Sequence, residues 1–145
     1  MTDFTQSASL RTPPPIREGL MQLDPLRLLG SRCGDCGNVM FPTRDFCSKC
    51  LRDLSEPSIA LDPRGVVYSY TVIRQAPPGR ETPYVLAYVD LNDGVRVMAQ
   101  IRIEPEQAVI GAPVTLERSE ARMPSGELRL SYVFVPDTVR EGETT

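Results

Sequence analysis

The chain contains no histidine and no tryptophan, and aromatic residues make up only 6% of it. Without histidine there is no imidazole for general acid/base work, no His-activated Ser or Cys nucleophile and no His metal site. Basic residues are not in excess either. Lys plus Arg number 16 against 19 Asp plus Glu, giving a net charge of −3 and a pI near 5.0. A bulk cationic nucleic-acid binder is therefore not expected, although a local basic patch stays open. No run of about 18 apolar residues is present, so no membrane-spanning segment is expected. Met1 to Arg11 has Asp3 near its start and no apolar block, unlike a secretory signal. The expectation is a cytoplasmic, reducing setting.

What is present is 145 residues with 41% hydrophobic and 24% charged side chains, a globular balance for one ordinary domain or two very small ones. Fourteen prolines and ten glycines favour short strands and turns over long helices. All four cysteines lie close together in the sequence, as Cys33-Gly34-Asp35-Cys36 and, after ten residues, Cys47-Ser48-Lys49-Cys50. Two Cys-x-x-Cys turns suit a tetrahedral zinc ion, each turn presenting two thiolates to the metal. Two disulfides would need an oxidising compartment, and iron held by four thiolates is the other metal open to this pattern. Four Cys ligands close the site, so a metal there is structural rather than catalytic. Lys49, inside the second turn, is the cation expected to offset thiolate charge. Asn38 to Pro42 reads as one strand of a ribbon, with Leu26, Leu28 and Leu29 supplying an opposing strand or core.

The division expected along the chain is a flexible tail and short helix over 1–24, a rubredoxin-like zinc ribbon over 25–56, a five-stranded barrel over 57–138 and a disordered tail over 139–145. Pro13-Pro14-Pro15 reads as a stiff spacer or a Pro-rich ligand. Ile16 to Leu23 is expected as a short helix with Ile16, Leu20 and Leu23 on one face, packed on its own chain or docked on a partner. Leu54 to Pro63 reads as a link. Five strands follow. They run over Val66–Ile73, Tyr84–Leu91, Val95–Ile103, Val114–Arg118 and Leu128–Val135, with Asn92-Asp93-Gly94 as a hairpin turn. In the third, Val95, Val97, Ala99, Ile101 and Ile103 alternate with more polar positions. A short helical turn is expected between Glu104 and Ile110. Exposed sheet edges are costly, so closure into an OB-fold barrel is expected, with an SH3-like barrel as the competing fold.

These motifs, in this order, resemble the DUF35 family, small zinc-ribbon and OB-fold proteins associated with acyl-CoA enzymes. The carrying residues are Arg32-Cys33-Gly34-Asp35-Cys36-Gly37, then Phe41-Pro42-Thr43-Arg44 and Cys47-Ser48-Lys49-Cys50. Behind them come Gly65 to Val72, Pro83 to Leu91 with Gly94, Ile110 to Val114, and Phe134-Val135-Pro136. The resemblance spans roughly residues 27 to 136. Leu51 departs from it where a Gly is common, and the N-terminal segment lacks an aromatic Phe-Trp pair. The resemblance implies a larger thiolase-fold or hot-dog-fold partner in a hetero-oligomer: a thiolase-like acyltransferase, an aldolase or an enoyl-CoA hydratase. It implies a scaffolding subunit that helps to hold the acyl-CoA.

The residues fit a non-catalytic accessory subunit, because every thiol is committed to metal and no paired carboxylates stand out. Candidate ligand or partner contacts are Phe41, Arg44, Lys49, Arg74, Arg80 and Tyr84, the cations because CoA carries phosphates. Tyr68, Tyr70, Tyr84 and Tyr88 are contact candidates, with about half of them expected in the barrel core. The alternative is a zinc-ribbon/OB nucleic-acid-binding module, which needs Arg96, Arg102, Arg118, Arg122 and Arg129 to gather on one face. A rubredoxin-like electron carrier is a third reading.

Overall fold

The chain forms a small four-stranded sheet followed by a closed five-stranded barrel, in a computed structural model that describes residues 13–78 and 80–137. The first sheet contains β1 (Met21–Leu23), β2 (Leu26–Arg32), β3 (Val39–Met40) and β4 (Ile59–Ala60). β1 and β2 make a tight antiparallel hairpin closed at Leu23↔Leu26. β2 also pairs with β3 at Ser31↔Met40 and with β4 at Gly30↔Ile59. The stretch expected as a link thus contributes a strand to this sheet.

The barrel strands are β5 (Arg64–Ile73), β6 (Tyr84–Leu91), β7 (Arg96–Ile101), β8 (Pro113–Arg122) and β9 (Leu128–Pro136), closed in the order β5-β6-β7-β9-β8. A simple meander would join β7 to β8. Instead β9 inserts between them and runs parallel to β7 at Ile101↔Phe134, the Greek-key crossing of an OB fold. The excursion between β7 and β8 holds a single 3-10 turn, Pro105–Gln107.

Alternation explains the core. Val85, Ala87, Val89 and Leu91 of β6 face inward, as do Val97, Ala99 and Ile101 of β7, with Phe134 of β9 fully buried. Leu20, Met21, Leu28 and Leu61 join the same apolar cluster, so the ribbon sheet and the barrel share one core. Burial of apolar surface here is the main stabilising term.

The short N-terminal helix is not formed within the described residues. Pro14 to Ile16 instead run beside β9, where Leu130 N–H donates to Pro14 O at 2.7 Å and Ile16 N–H donates to Leu130 O at 2.9 Å. Met21–Leu23 is spent on the hairpin with β2. The helical spacing misled because its three apolar residues do not share a face. Leu20 is 5% exposed, whereas Ile16 and Leu23 are 39% and 42% exposed. Residues 1–12 of the expected N-terminal tail and the tail expected over 139–145 lie outside the described residues.

Candidate metal centre and partner face

Each Cys-x-x-Cys motif folds as a tight turn whose fifth residue takes a left-handed conformation. Gly37 N–H donates to Cys33 O at 2.9 Å, and Leu51 N–H donates to Cys47 O at 2.9 Å. Gly37 has φ 78° and Leu51 has φ 67°. The two knuckles are therefore copies of one turn, built on glycine in one and on a branched residue in the other. Left-handed backbone costs an L-residue about 1–2 kcal/mol. Leu51 is also 72% exposed, so its side chain gains little from packing.

The four Sγ atoms lie within 4.8 Å of one another. Cys33 to Cys50 and Cys36 to Cys47 are each 3.6 Å apart, too far for disulfides, whose S–S length is about 2.05 Å. A tetrahedron with Zn–S bonds of about 2.3 Å has edges of about 3.8 Å, so the donor set fits a four-thiolate metal. Cys33 and Cys47 are buried and Cys36 and Cys50 exposed. Cys47 Sγ accepts from Cys50 N–H at 3.4 Å and Lys49 N–H at 3.3 Å. The Cys50 N–H foremost, with that of Lys49, lowers the Cys47 thiol to about 6, against the opposing effect of burial. Cys50 is pushed up to about 11. The Arg52 N–H favours its thiolate, but burial and the thiols of Cys33, Cys47 and Cys36 outweigh it. Cys33 and Cys36 split the same way, one lowered and one raised.

The cation at this centre is Arg52. Its Nε lies 3.0 Å from Asp35 Oδ2, on the first knuckle beside Cys33. It also pairs with the Glu56 carboxylate, which accepts from Gly34 N–H at 2.9 Å. Arg52 was not legible in the sequence because Asp35, the partner that ties it to the first knuckle, lies 17 residues earlier. Lys49 is exposed and reaches the sulfurs through its backbone.

The remaining predicted contacts separate. Phe41 is a seam residue. Its ring meets Tyr132 edge-on at 6.0 Å, and Tyr132 meets Phe134 edge-on at 6.4 Å. Arg44 is exposed on the ribbon, its N–H donating to Ser31 Oγ at 2.9 Å, and Arg74 is exposed just past β5. Arg80 and Tyr84 come together, the guanidinium 4.2 Å from the ring centroid, with Arg80 also donating to Gln100 Oε1 at 2.9 Å. Arg80 and Gln100 line a cleft of about 900 Å3 between β7 and the β8–β9 hairpin, whose walls include Met98, Glu120, Arg122 and Tyr132. The cleft lies along Met98 to Gln100 of β7 and Ser131 to Val133 of β9, beside the pairing Ile101↔Phe134.

None of Tyr68, Tyr70, Tyr84 and Tyr88 is buried, contrary to the expectation that about half would be core. Tyr68, Tyr70 and Tyr88 are 49%, 37% and 44% exposed, and Tyr84 is half-buried. Tyr88 is cross-strand to Met98, on the outer face. A register irregularity between Val67 and Ser69 accompanies the outward turn of Tyr68 onto Arg96, whose guanidinium sits 3.4 Å from the ring centroid. The result is an exposed stripe of Val66, Tyr68, Tyr88 and Met98 across β5, β6 and β7.

The arginines that a nucleic-acid groove requires are engaged. Arg96 pairs with Asp90 at 2.6 Å, Arg102 with Glu117 at 2.6 Å and Arg129 with Glu127 at 3.0 Å. Arg122 donates to Gly126 O at 2.8 Å. Carboxylates interleaved in this way leave little net positive potential for a phosphate backbone. Among the described residues no helix is long and apolar enough to cross a membrane.

Comparison with known proteins gives two family matches in series. Residues 22–55 match the ChsH2 rubredoxin-like zinc ribbon domain, and residues 58–117 match the ChsH2 C-terminal OB-fold domain. The chain is 37% identical over 114 residues to a DUF35 domain-containing scaffold protein of Methanocaldococcus jannaschii, covering 75% of this chain and 81% of that one. It is 37% identical over 108 residues to the benzoylsuccinyl-CoA thiolase subunit BbsA of Geobacter metallireducens, covering 74% and 73%. Among solved structures, one described as an Ltp2-ChsH2(DUF35) aldolase superposes with a TM-score of 0.63 at 34% identity, covering 76% of this chain and 84% of that one.

Proposed function

Because the chain belongs to the DUF35 family of zinc-ribbon and OB-fold proteins, we propose that it is a non-catalytic accessory subunit of an acyl-CoA or acyl-transfer enzyme complex. It stabilises a larger partner and helps to hold the acyl-CoA. One observation carries this reading. Relatives matched over about three quarters of this chain are named as a scaffold protein and a thiolase subunit. An aldolase complex supports it from the solved structures. The chain's own chemistry agrees. It has no histidine, and all four of its cysteines lie in one cluster, so neither an imidazole nor an unassigned thiol remains for catalysis.

The ion is zinc, one per chain, held by Cys33, Cys36, Cys47 and Cys50. Four thiolates close its coordination and make it a folding element. The chain works in the cytoplasm, where a reducing environment keeps such thiols available. The partner is a thiolase-like acyltransferase, an aldolase or a hydratase. The exposed stripe of Val66, Tyr68, Tyr88 and Met98 is the contact face, since aromatics and Met are enriched in interface cores. Arg80 at the cleft with Tyr84 beneath its guanidinium, and Phe41, Arg44, Lys49 and Arg74, are the groups offered to partner or acyl-CoA. The test is turnover of acyl-CoA substrates by the purified chain, by the partner alone and by both mixed. The chain alone is inactive, and the mixture exceeds the partner. Substantial turnover by the chain alone overturns the proposal.

A further inference from the structure

We infer that Arg52 is a positioning residue of the metal centre, clamping the first knuckle onto the segment behind the second and thereby slowing metal loss. One guanidinium reaches three groups. Nε is 3.0 Å from Asp35 Oδ2, between the first two cysteines. Nη2 pairs with Glu56. Nη1 donates to Asp53 O at 2.7 Å, which fixes the plane of the fork. Glu56 closes the loop by accepting from Gly34 N–H at 2.9 Å and Ser55 N–H at 3.2 Å. A Cβ on Gly34 would run into the Glu56 carboxylate, so the glycine between the first cysteines is the opening through which the clamp engages.

The rest of the geometry shows why such a clamp matters. Apart from the sulfurs themselves, the knuckles are linked by Asn38, whose Nδ2 lies 3.3 Å from Ser48 Oγ and 3.8 Å from Cys47 Sγ. That amide serves the second knuckle near Cys47, and Arg52 serves the first, near Cys33. Four thiolates around a divalent ion carry a net charge of about −2, and groups hydrogen-bonded to metal ligands orient them and tune affinity. Arg52 supplies a positive charge beside the cluster and, through Asp35 and Glu56, holds the knuckle that carries Cys33. A lysine offers a single point charge and cannot span Asp35, Glu56 and the Asp53 carbonyl at once.

The experiment measures zinc release from the full chain to a chromogenic chelator, together with the thiolate-to-metal absorption bands of the Co2+-substituted protein. Arg52→Ala releases zinc about 10–100-fold faster and shifts the Co2+ bands. Arg52→Lys restores little of either. Glu56→Gln, which keeps the side-chain shape, accelerates release in the same direction and serves if Arg52→Ala does not fold. Wild-type release rates and Co2+ bands in Arg52→Ala or Glu56→Gln overturn the inference. So does a lowered unfolding temperature with unchanged Co2+ bands, which would make Arg52 merely structural. A wild-type chain that takes up neither zinc nor Co2+ overturns the metal reading itself, a result distinct from the others.

Discussion

Phe41 is the side chain whose removal tests how ribbon and barrel are joined. It stacks edge-on against Tyr132, which stacks edge-on against the fully buried Phe134. Truncating a fully buried Phe costs about 3–5 kcal/mol. Phe41 is half-buried, which reduces the burial part by about half, while the lost edge-to-face pair adds about 0.5–1.5 kcal/mol. Phe41→Ala should therefore destabilise the chain by about 2–4 kcal/mol. For a chain of this size that lowers the melting temperature by roughly 5–15 °C. Denaturant titration followed by tyrosine fluorescence reads the change, as there is no tryptophan to dominate the signal. A double-mutant cycle with Tyr132→Leu isolates the ring pair, with an expected coupling of about 1 kcal/mol. Zinc content should stay at one per chain, because all four ligands are untouched. A stability change within 0.5 kcal/mol of zero, or a coupling of zero, refutes the seam.

Three further outcomes follow from named residues. Cys36→Ser removes one of four metal ligands and should give a chain without zinc whose ribbon is unfolded and whose partner is no longer held; a metal-free variant that still forms the complex contradicts this. Leu51→Gly relieves a left-handed backbone at an exposed position and, after the greater chain entropy of Gly, should stabilise the protein by about 0.5–1 kcal/mol in denaturant titration, with a loss of stability as the contrary result. Tyr132 donates its hydroxyl to Met98 O at 3.2 Å, and burial raises its phenol above the ordinary value. A raised folded value contributes stability that is fully present below about pH 10 and is lost as pH rises through it. Tyr132→Phe should therefore cost about 1 kcal/mol near neutral pH and flatten the alkaline loss of stability, whereas an unchanged alkaline profile would count against it.

The cysteine knuckles and the barrel were legible in the sequence, whereas most side-chain contacts between distant segments were not. The cysteine spacing needs only two tight turns, so the metal cluster was legible from residues 33 to 50. Period-two alternation from Val95 to Ile101 depends on one strand having one buried face, and those residues are buried. Arg52 escaped because its partner Asp35 lies on the other knuckle, and Lys49 looked the better cation only by its place between two cysteines. The pairing of Phe41 with Tyr132, across the chain, had no signal in the sequence. The tyrosines defeated a core assignment because a register irregularity after Val67 and the cross-strand pairing of Tyr88 with Met98 decide which face they occupy. The false N-terminal helix arose from apolar spacing that the pairing of Pro14–Ile16 with Leu130 overrode. Leu51 was visible as a departure from the family pattern. Its left-handed backbone gives that departure a physical meaning.

The account stands on the chain acting within a larger enzyme. The most direct measurement is affinity capture of the chain from its native host, with mass spectrometry of the eluate and metal analysis of the same sample. The account predicts a thiolase-like, aldolase or hydratase protein at near-stoichiometric level with one zinc per chain. Recovery of nucleic acid or ribosomal proteins in place of such an enzyme would contradict it and would reduce the acyl-CoA relationship to a shared fold.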